Sequence, residues 1–301
     1  MLSQTVQNYI RARRAAGFKF EAQAGLLCSF AAYADTRGEH YVRANSAIEW
    51  AGLAAKIPQR AHRLWTVIRF ARHARLDDPR HEVPPPAFGG ERWPRRTPYI
   101  LSPEEIARLL QAARCYGKNP LQGATYSTLF GLLACTGLRI SEAIRLRSSD
   151  ITSDGLLIRN TKFRKSRLVA LHDSTRTALD RYLLQRQALA SLDDHVFVSL
   201  RGAPLIRECV DGVFRELVKR IGLPQGAGLP RITPHSLRHT FAVRALQTCP
   251  DGRERIARHM VALSTFLGHV DAAATYWYLQ ATPELLRDIA SCSEHFVENA
   301  S

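Results

Sequence analysis

The 301-residue sequence has only six cysteines, and none of them is placed for pairing with a close neighbour. No two form a Cys-x-x-Cys pair, the spacing used by many zinc sites and redox motifs. We therefore expect neither a disulfide framework nor a metal site, and we interpret the cysteines as buried, reduced thiols of an intracellular protein. They are Cys28, Cys115, Cys135, Cys209, Cys249 and Cys292.

The sequence also lacks any uninterrupted apolar run of roughly 18 residues, the length that a membrane-spanning helix needs. Its first five residues, Met-Leu-Ser-Gln-Thr, do not show the basic-then-apolar pattern of an export signal. These two absences predict a cytoplasmic protein that makes no membrane contact.

Acidic residues are scarce relative to basic ones, and the formal net charge is +15 at pH 7. Residues 1–95 hold 15 basic and 8 acidic residues, and the rest of the chain holds 27 and 19, so the excess is not confined to a tail. A GC-rich genome would explain why arginine outnumbers lysine 36 to 6, but not why bases outnumber acids. An extended negatively charged partner fits this distribution, and nucleic acid is the commonest such partner.

Residues 84–98 separate two parts of the chain. This segment has five prolines, which favour extended backbone and remove N–H donors, and two adjacent glycines. We predict an N-terminal DNA-binding domain over residues 1–83, a linker over residues 84–98 and a second, catalytic domain over residues 99–301.

Apolar residues at helical spacing predict four helices in the first domain, at about residues 3–16, 21–36, 46–55 and from residue 58 onward. In the fourth, apolar residues alternate with five arginines. These arginines form either a solvated helix face or a set of phosphate contacts, and the density of cations in residues 69–75 favours the second interpretation. They are Arg60, Arg63, Arg69, Arg72 and Arg75.

The second domain has mostly helical patterns and a few short strand patterns. Ser102, Pro103 and Glu105 have the spacing of a capping box, which predicts the start of a helix. The fold class that we predict is mainly α with a small antiparallel β-sheet. Further helices are predicted at about residues 124–135, 174–190, 208–221, 236–248, 253–267 and 283–289, and strands at 150–152, 156–159 and 167–171.

Two arginines, two histidines and a tyrosine occur in a fixed order in the second domain. Arginine forks bind the non-bridging oxygens of a phosphate, imidazoles move protons, and a phenol can attack phosphorus. His235 lies one helical turn before Arg238, so both side chains project from one face. This composition is typical of a site that transfers a phosphoryl group to a tyrosine.

The motifs around these residues resemble those of the tyrosine recombinases, the family of phage integrases, integron integrases and recombinases that resolve chromosome dimers. The matching runs are Thr-Gly-Leu-Arg-Ile-Ser-Glu at 136–142, Pro-His-Ser-Leu-Arg-His at 234–239 and Leu-Gly-His at 267–269. A tyrosine follows nine residues after the last of these runs. The catalytic residues that the resemblance implies are Arg139, Lys162, His235, Arg238, His269 and Tyr278, with Glu142 in a supporting role.

Two of these assignments have a close competitor. The hairpin of the family often has glycines around its lysine, whereas residues 161–169 have none. The register of the following Leu-Val-x-Leu strand favours Lys162 over Lys165, and we assign Arg164 and Lys165 as DNA contacts. Tyr276 and Tyr278 would point about 200° apart on a helix, and the spacing from the Leu-Gly-His run favours Tyr278.

The resemblance implies a C-shaped clamp on duplex DNA that cuts and rejoins strands through a 3′-phosphotyrosine in integration, excision, transposition or dimer resolution. Neither ATP nor any other cofactor or metal is implied, because the covalent bond retains the phosphodiester energy. The expected partners are double-stranded DNA with an inverted-repeat core site and further copies of the chain in a tetramer, or a related recombinase.

Three alternatives share some of these features. A type IB topoisomerase would use the same chemistry without exchanging strands between duplexes. A non-catalytic DNA-binding partner subunit would share the fold and charge, and an RNA-binding protein would share only the charge. The intact set of arginines, histidines and tyrosine argues against the last two.

Overall fold

The computed structural model describes residues 1–90, 97–159, 166–187, 193–226, 228–248, 253–268 and 273–280. The chain divides into two compact units, Met1–Arg95 and Arg96–Ser301. The division falls inside the predicted linker. Among the described residues, no helix combines the length and the apolar character needed to span a membrane.

The first unit has four helices packed around one apolar core. Leu27, Phe30, Val67 and Phe70 are fully buried at its centre, and they come from the second and fourth helices. Gly17 follows the first helix of the unit and has a φ of 86°, a conformation that glycine adopts without steric cost. The helices are α1 Leu2–Ala15, α2 Glu21–Asp35, α3 Ala44–Gly52 and α4 Ile57–Asp77.

The second unit is also mainly helical. Its first helix begins with the predicted capping box: Ser102 Oγ accepts from Glu105 N at 3.1 Å, and Glu105 Oε2 accepts from Ser102 N at 2.8 Å. The helices are α5 Pro103–Arg114, α6 Pro120–Thr136, α7 Ile140–Ala143, α8 Asp173–Arg186, α9 Arg207–Arg220, α10 Pro234–Gln247, α11 Arg253–Leu267 and α12 Ala273–Gln280.

A three-stranded antiparallel sheet follows α7. Its strands are β1 Ile151–Thr152, β2 Gly155–Ile158 and β3 Arg167–Val169, with β2 in the middle. The register pairs Ile158 with Arg167, which are therefore opposite each other at the end of the sheet nearest residues 160–165. The predicted fold class, mainly α with a small antiparallel sheet, is confirmed.

Two apolar clusters hold the second unit together. The larger one surrounds α6, where Leu129, Phe130 and Leu133 are buried. The smaller one joins α10, α11 and α12, and it includes Leu267 and Tyr278. The last three helices of the described chain therefore pack against one another, and α10 also packs against α6. The arginine, histidine and tyrosine motifs lie on these helices or beside them.

The structure corrects the prediction that the cysteines are buried. Cys115, Cys135 and Cys209 are exposed and Cys28 is half-buried, and all four are free thiols. Cys135 lies in α6, Cys209 lies in α9 and Cys115 directly follows α5, at positions that turn away from the core. Cys249, Cys292 and the helix predicted at residues 283–289 lie outside the described residues.

Candidate active site

Arg139 is positioned by a sharp turn between α6 and α7. Gly137 ends α6 with a φ of 60°, and a Cβ there would lie only 2.6 Å from Phe241 Cδ1. Glycine is therefore required both by the left-handed backbone and by the close approach of α10. Arg139 is the N-cap residue directly before α7. Its main-chain N–H donates to Glu142 Oε2 at 3.0 Å, and its Nη1 donates to Glu142 Oε1 at 2.8 Å.

Glu142 also binds Arg167 on β3. Arg167 Nη1 and Nη2 donate to Oε1 and Oε2 of Glu142 at 3.1 and 2.8 Å, and the two side chains are only 10% and 8% exposed. Burial alone would raise the pKa of the Glu142 carboxyl, but hydrogen bonds and charge from Arg167 and Arg139 outweigh it and lower the pKa to about 2. Glu142 is thus ionised at neutral pH.

Arg238 lies at the centre of the site. It is 1% exposed, and it donates from Nη1 to Gly137 O at 2.6 Å and from Nη2 to Leu267 O at 2.7 Å. Desolvation, together with the nearby charge of Arg139, lowers its pKa to about 10, so the guanidinium stays charged at neutral pH. Arg139 Nη2 donates to the adjacent Gly268 O at 3.1 Å, and the two predicted arginines therefore meet at the end of α11.

His235 lies one turn before Arg238, as predicted, in the first turn of α10. Desolvation and the charges of Arg238 and Arg139 lower the pKa of His235 to about 4, which keeps the imidazole neutral. The His235 side chain is exposed to solvent. His235 and Arg139 line a cavity of about 780 Å³, which three further arginines also line: Arg207, Arg215 and Arg231.

Tyr278 lies on α12 and is 3% exposed. Its Oη is 3.2 Å from Nδ1 of His239, and the ring of His239 also packs against Trp277 and His235. No role was predicted for His239 from the sequence. A signal was available, since His239 is four residues after His235 and so lies on the same helix face.

Several predicted residues lie outside the described parts of the chain. Lys162, Arg164, Lys165 and His269 are among them, and the side chain of Tyr276 is not described. The choices of Lys162 over Lys165 and of Tyr278 over Tyr276 therefore stay predictions.

The five arginines of α4 do not share one environment. Arg60 Nε donates to Ala54 O at 2.7 Å, and the Arg63 guanidinium lies 5.3 Å from the centre of the Trp50 ring. These two side chains take part in the packing of the first unit, whereas Arg69, Arg72 and Arg75 are exposed. All five stay predicted phosphate contacts, and the three exposed ones are the most accessible to a phosphate.

One group in the described parts of the chain has metal-ligating atoms close together. Asp193, Asp194 and His195 bring such atoms within 4.8 Å of one another in the loop after α8. His195 Nδ1 is already 2.6 Å from Asp193 Oδ1, and Asp194 pairs with Arg147. The group shares no residue with the cavity at Arg139, and it gives no reason to assign a metal to the site.

The chain is similar to known proteins along most of its length. The model of the phage integrase family matches residues 100–284. A protein named as integrase/recombinase y4rB, from Sinorhizobium fredii, is 38% identical over 298 residues, which cover 95% of this chain and 94% of that one. The tyrosine recombinase XerD of Caulobacter vibrioides is 32% identical over 219 residues, covering 71% and 66% of the two chains.

The fold has solved relatives as well. The crystal structure of the XerH site-specific recombinase, bound to palindromic difH substrate in a post-cleavage complex, has a TM-score of 0.70. It is 18% identical in sequence, and the match covers 97% of this chain and 85% of that one. At this level of identity the likeness concerns the fold.

Proposed function

This chain belongs to the phage integrase family, whose members include the tyrosine recombinases, and on that premise we propose how its own residues carry out the reaction. As a tyrosine recombinase it cuts and rejoins DNA at specific sites. One observation carries the residue assignments: Arg139 and Arg238 both donate to carbonyls at the end of α11, and α11 packs against the helix that bears Tyr278. Glu142 pairs with Arg139 at the same place.

Tyr278 is the nucleophile. Its Oη forms a bond to phosphorus, the bond from phosphorus to the 5′-oxygen breaks, and the products are a 3′-phosphotyrosine and a 5′-hydroxyl. A 5′-hydroxyl from a partner strand then attacks the phosphotyrosine and releases the phenol. The number of phosphodiester bonds is unchanged, so the reaction requires no external energy source.

Arg139 and Arg238 hold the non-bridging oxygens of the phosphate as charge builds up in the transition state. Burial supports this role, because charge-assisted hydrogen bonds are stronger where water is excluded. Arg139 is the more accessible of the two, with a side chain that is 31% exposed, and it lines the cavity beside His235. Glu142 keeps the guanidinium of Arg139 in place.

Two proton transfers accompany the reaction. The phenol of Tyr278 has to lose a proton, and before α12 moves its Oη lies 3.2 Å from His239 Nδ1, so we propose that His239 accepts this proton as the movement begins. The leaving 5′-oxygen has to gain a proton, which we assign to Lys162. His235 and His269 donate hydrogen bonds to the phosphate oxygens or assist these transfers.

Tyr278 is 3% exposed and Arg238 is 1% exposed, so neither side chain can meet a phosphate where it lies, and DNA binding has to expose both. DNA binding must therefore be accompanied by a movement of α12 that brings the phenol to the cavity. The apolar contacts of Tyr278 with α10 and α11 would be lost in this step, which limits cleavage by an unbound protein.

The DNA-bound assembly that we propose is a tetramer on double-stranded DNA with inverted-repeat core sites, because the exchange of two duplexes cuts four strands and each cut uses one tyrosine. Two groups of arginines can contact the phosphate backbone of duplex DNA. They are the exposed arginines of α4 and the three that line the cavity, Arg207, Arg215 and Arg231. The bacterial relatives support action on the nucleoid in the cytoplasm. We retain residues 1–83 as a DNA-binding domain and residues 99–301 as the catalytic domain.

A nicked duplex tests the nucleophile. The DNA should carry inverted repeats from the region that flanks the gene, with a nick close to the cleavage point so that the short 5′-hydroxyl fragment dissociates. The wild-type protein should then remain covalently attached to the 3′ end. Tyr278→Phe should abolish the adduct and retain DNA binding, whereas Tyr276→Phe should form it; the reverse result would move the nucleophile to Tyr276.

A further inference from the structure

The carboxyl end of α11 is bound by three arginines, one on each of three consecutive carbonyls. Arg167 Nε donates to Phe266 O at 2.8 Å, Arg238 Nη2 to Leu267 O at 2.7 Å and Arg139 Nη2 to Gly268 O at 3.1 Å. The last carbonyls of a helix have no partner within it, and they form the negative end of the helix dipole. Three cations therefore fix the position of the backbone that leads directly into His269.

Arg167 differs from the other two because all three of its guanidinium nitrogens are engaged by protein oxygens. Nε binds Phe266 O, and Nη1 and Nη2 bind the two oxygens of Glu142. The side chain is 10% exposed, and a Cβ on Gly268 would lie only 2.7 Å from Arg167 Nη1. This closely packed, internally bonded side chain is placed to hold other groups and not to bind a phosphate itself.

Arg167 also has a special position along the chain. It is the first residue of β3, so it directly follows the segment with Lys162 and Lys165, and it lies opposite Ile158 on β2. One side chain thus joins the strand after that segment to the carboxylate that holds Arg139, and to the helix end before His269.

We propose that Arg167 is a positioning residue for DNA cleavage. It acts through Glu142 on Arg139 and through Phe266 O on the end of α11. This inference rests on the proposed function, because it concerns the geometry of the phosphate-binding arginines. It extends that function by a residue that does not touch DNA, and loss of that residue should impair the chemical step and not the binding of DNA.

Single-turnover cleavage of the nicked duplex at saturating protein gives the first measurement. Arg167→Gln removes the charge and two of the three donors, and misplacement of the phosphate-binding groups by about 1 Å costs on the order of 10²-fold in rate. Arg167→Lys should retain part of the activity, because an ammonium can still reach one of the two partners. The affinity for intact duplex should change less than about threefold in both variants.

Arg159→Gln is the matched control. Arg159 lies just after β2 in the same sheet and also pairs with a carboxylate, that of Asp150, but it contacts neither Glu142 nor α11. Cleavage by this variant should stay within about threefold of wild type.

A substrate with a methylphosphonate at the cleavage point separates positioning from a general loss of structure. The methyl group replaces a non-bridging oxygen and removes its negative charge, so the transition state depends less on Arg139. Relative to wild type, the defect of Arg139→Ala should become much smaller on this substrate. If Arg167 acts through Arg139, its defect should become smaller as well.

The proposal would be overturned if the defect of Arg167→Gln were equal on both substrates while the defect of Arg139→Ala became smaller on the methylphosphonate. Arg167 would then stabilise the fold only. A loss of less than about fivefold on ordinary DNA would also overturn it. Should Arg167→Gln fail to fold, Arg167→Lys gives the same comparison. Absence of a wild-type adduct would instead contradict the proposed function, so the two failures are distinguishable.

Discussion

Replacement of Glu142 by glutamine should destabilise the second unit by about 3 kcal/mol at neutral pH, near the lower end of what breaking a buried ion pair costs. The carboxylate accepts four hydrogen bonds, two from Arg139 and two from Arg167, at 2.8–3.1 Å. A glutamine side chain has one acceptor oxygen. Its NH₂ group would face the N–H groups from which the second carboxylate oxygen of Glu142 now accepts. It also leaves two neighbouring guanidinium charges without their anion.

The pKa of Glu142 gives the same magnitude from an independent direction. The folded protein lowers this pKa from the ordinary 4.5 to about 2, which corresponds to about 3 kcal/mol at about 1.4 kcal/mol per pH unit. Since the folded pKa is the lower one, the unfolded chain takes up the proton first as the pH falls. The stabilisation is therefore complete above pH 4.5 and is lost as the pH falls toward 2.

The assay is urea unfolding of wild type and Glu142→Gln from pH 7 downward, with hydrogen exchange of the peptide around residue 142 to assign the transition to the second unit. The difference in unfolding free energy should be constant from pH 7 to about 5 and should shrink below pH 4.5. Asp194→Asn breaks an exposed ion pair with Arg147 in the same unit, and it should cost less than about 1 kcal/mol. A difference for Glu142→Gln below about 1 kcal/mol at pH 7, or one that does not shrink in acid, would refute the reasoning.

Two further predictions concern the lysine and the binding of DNA. If Lys162 protonates the leaving 5′-oxygen, Lys162→Ala should cleave ordinary DNA slowly but cleave a 5′-bridging phosphorothiolate almost normally, because sulfur leaves without a proton; rescue of Lys165→Ala instead would move the general acid by three residues. The logarithm of the DNA-binding constant should fall with the logarithm of salt concentration at about −0.9 for each phosphate contact, and a titration that is flat between low and moderate salt would contradict a DNA-enclosing protein.

Much of the fold could be predicted from the sequence because its signals are local. The capping box at Ser102 and Glu105 acts within one helical turn, and the periodicity that predicts α11 extends over a single helix. The same holds for the proximity of His235 and Arg238, since residues one turn apart share a helix face. α12, by contrast, was not predicted as a helix, because its eight residues are too few to show a clear periodicity.

The exposure of single side chains was predicted less well, because it depends on what packs against each residue. Arg60 and Arg72 have the same chemistry on one helix, yet Arg60 is half-buried and Arg72 is exposed. Cys135 and Cys209 are apolar enough for a core, but the partners of their helices cover other faces. Side-chain type and spacing do not contain this information.

The sequence by itself therefore determined which groups can take part in the reaction, because arginine, imidazole and phenol have that chemistry wherever they lie, and their order along the chain identifies the family. Only the tertiary structure decided which groups hold the others in place. Arg167 reaches Phe266 across 99 positions, and His239 reaches Tyr278 across 39. Such contacts form where helices and strands distant in sequence pack together, and a donor then binds whichever acceptor that packing brings within about 3 Å.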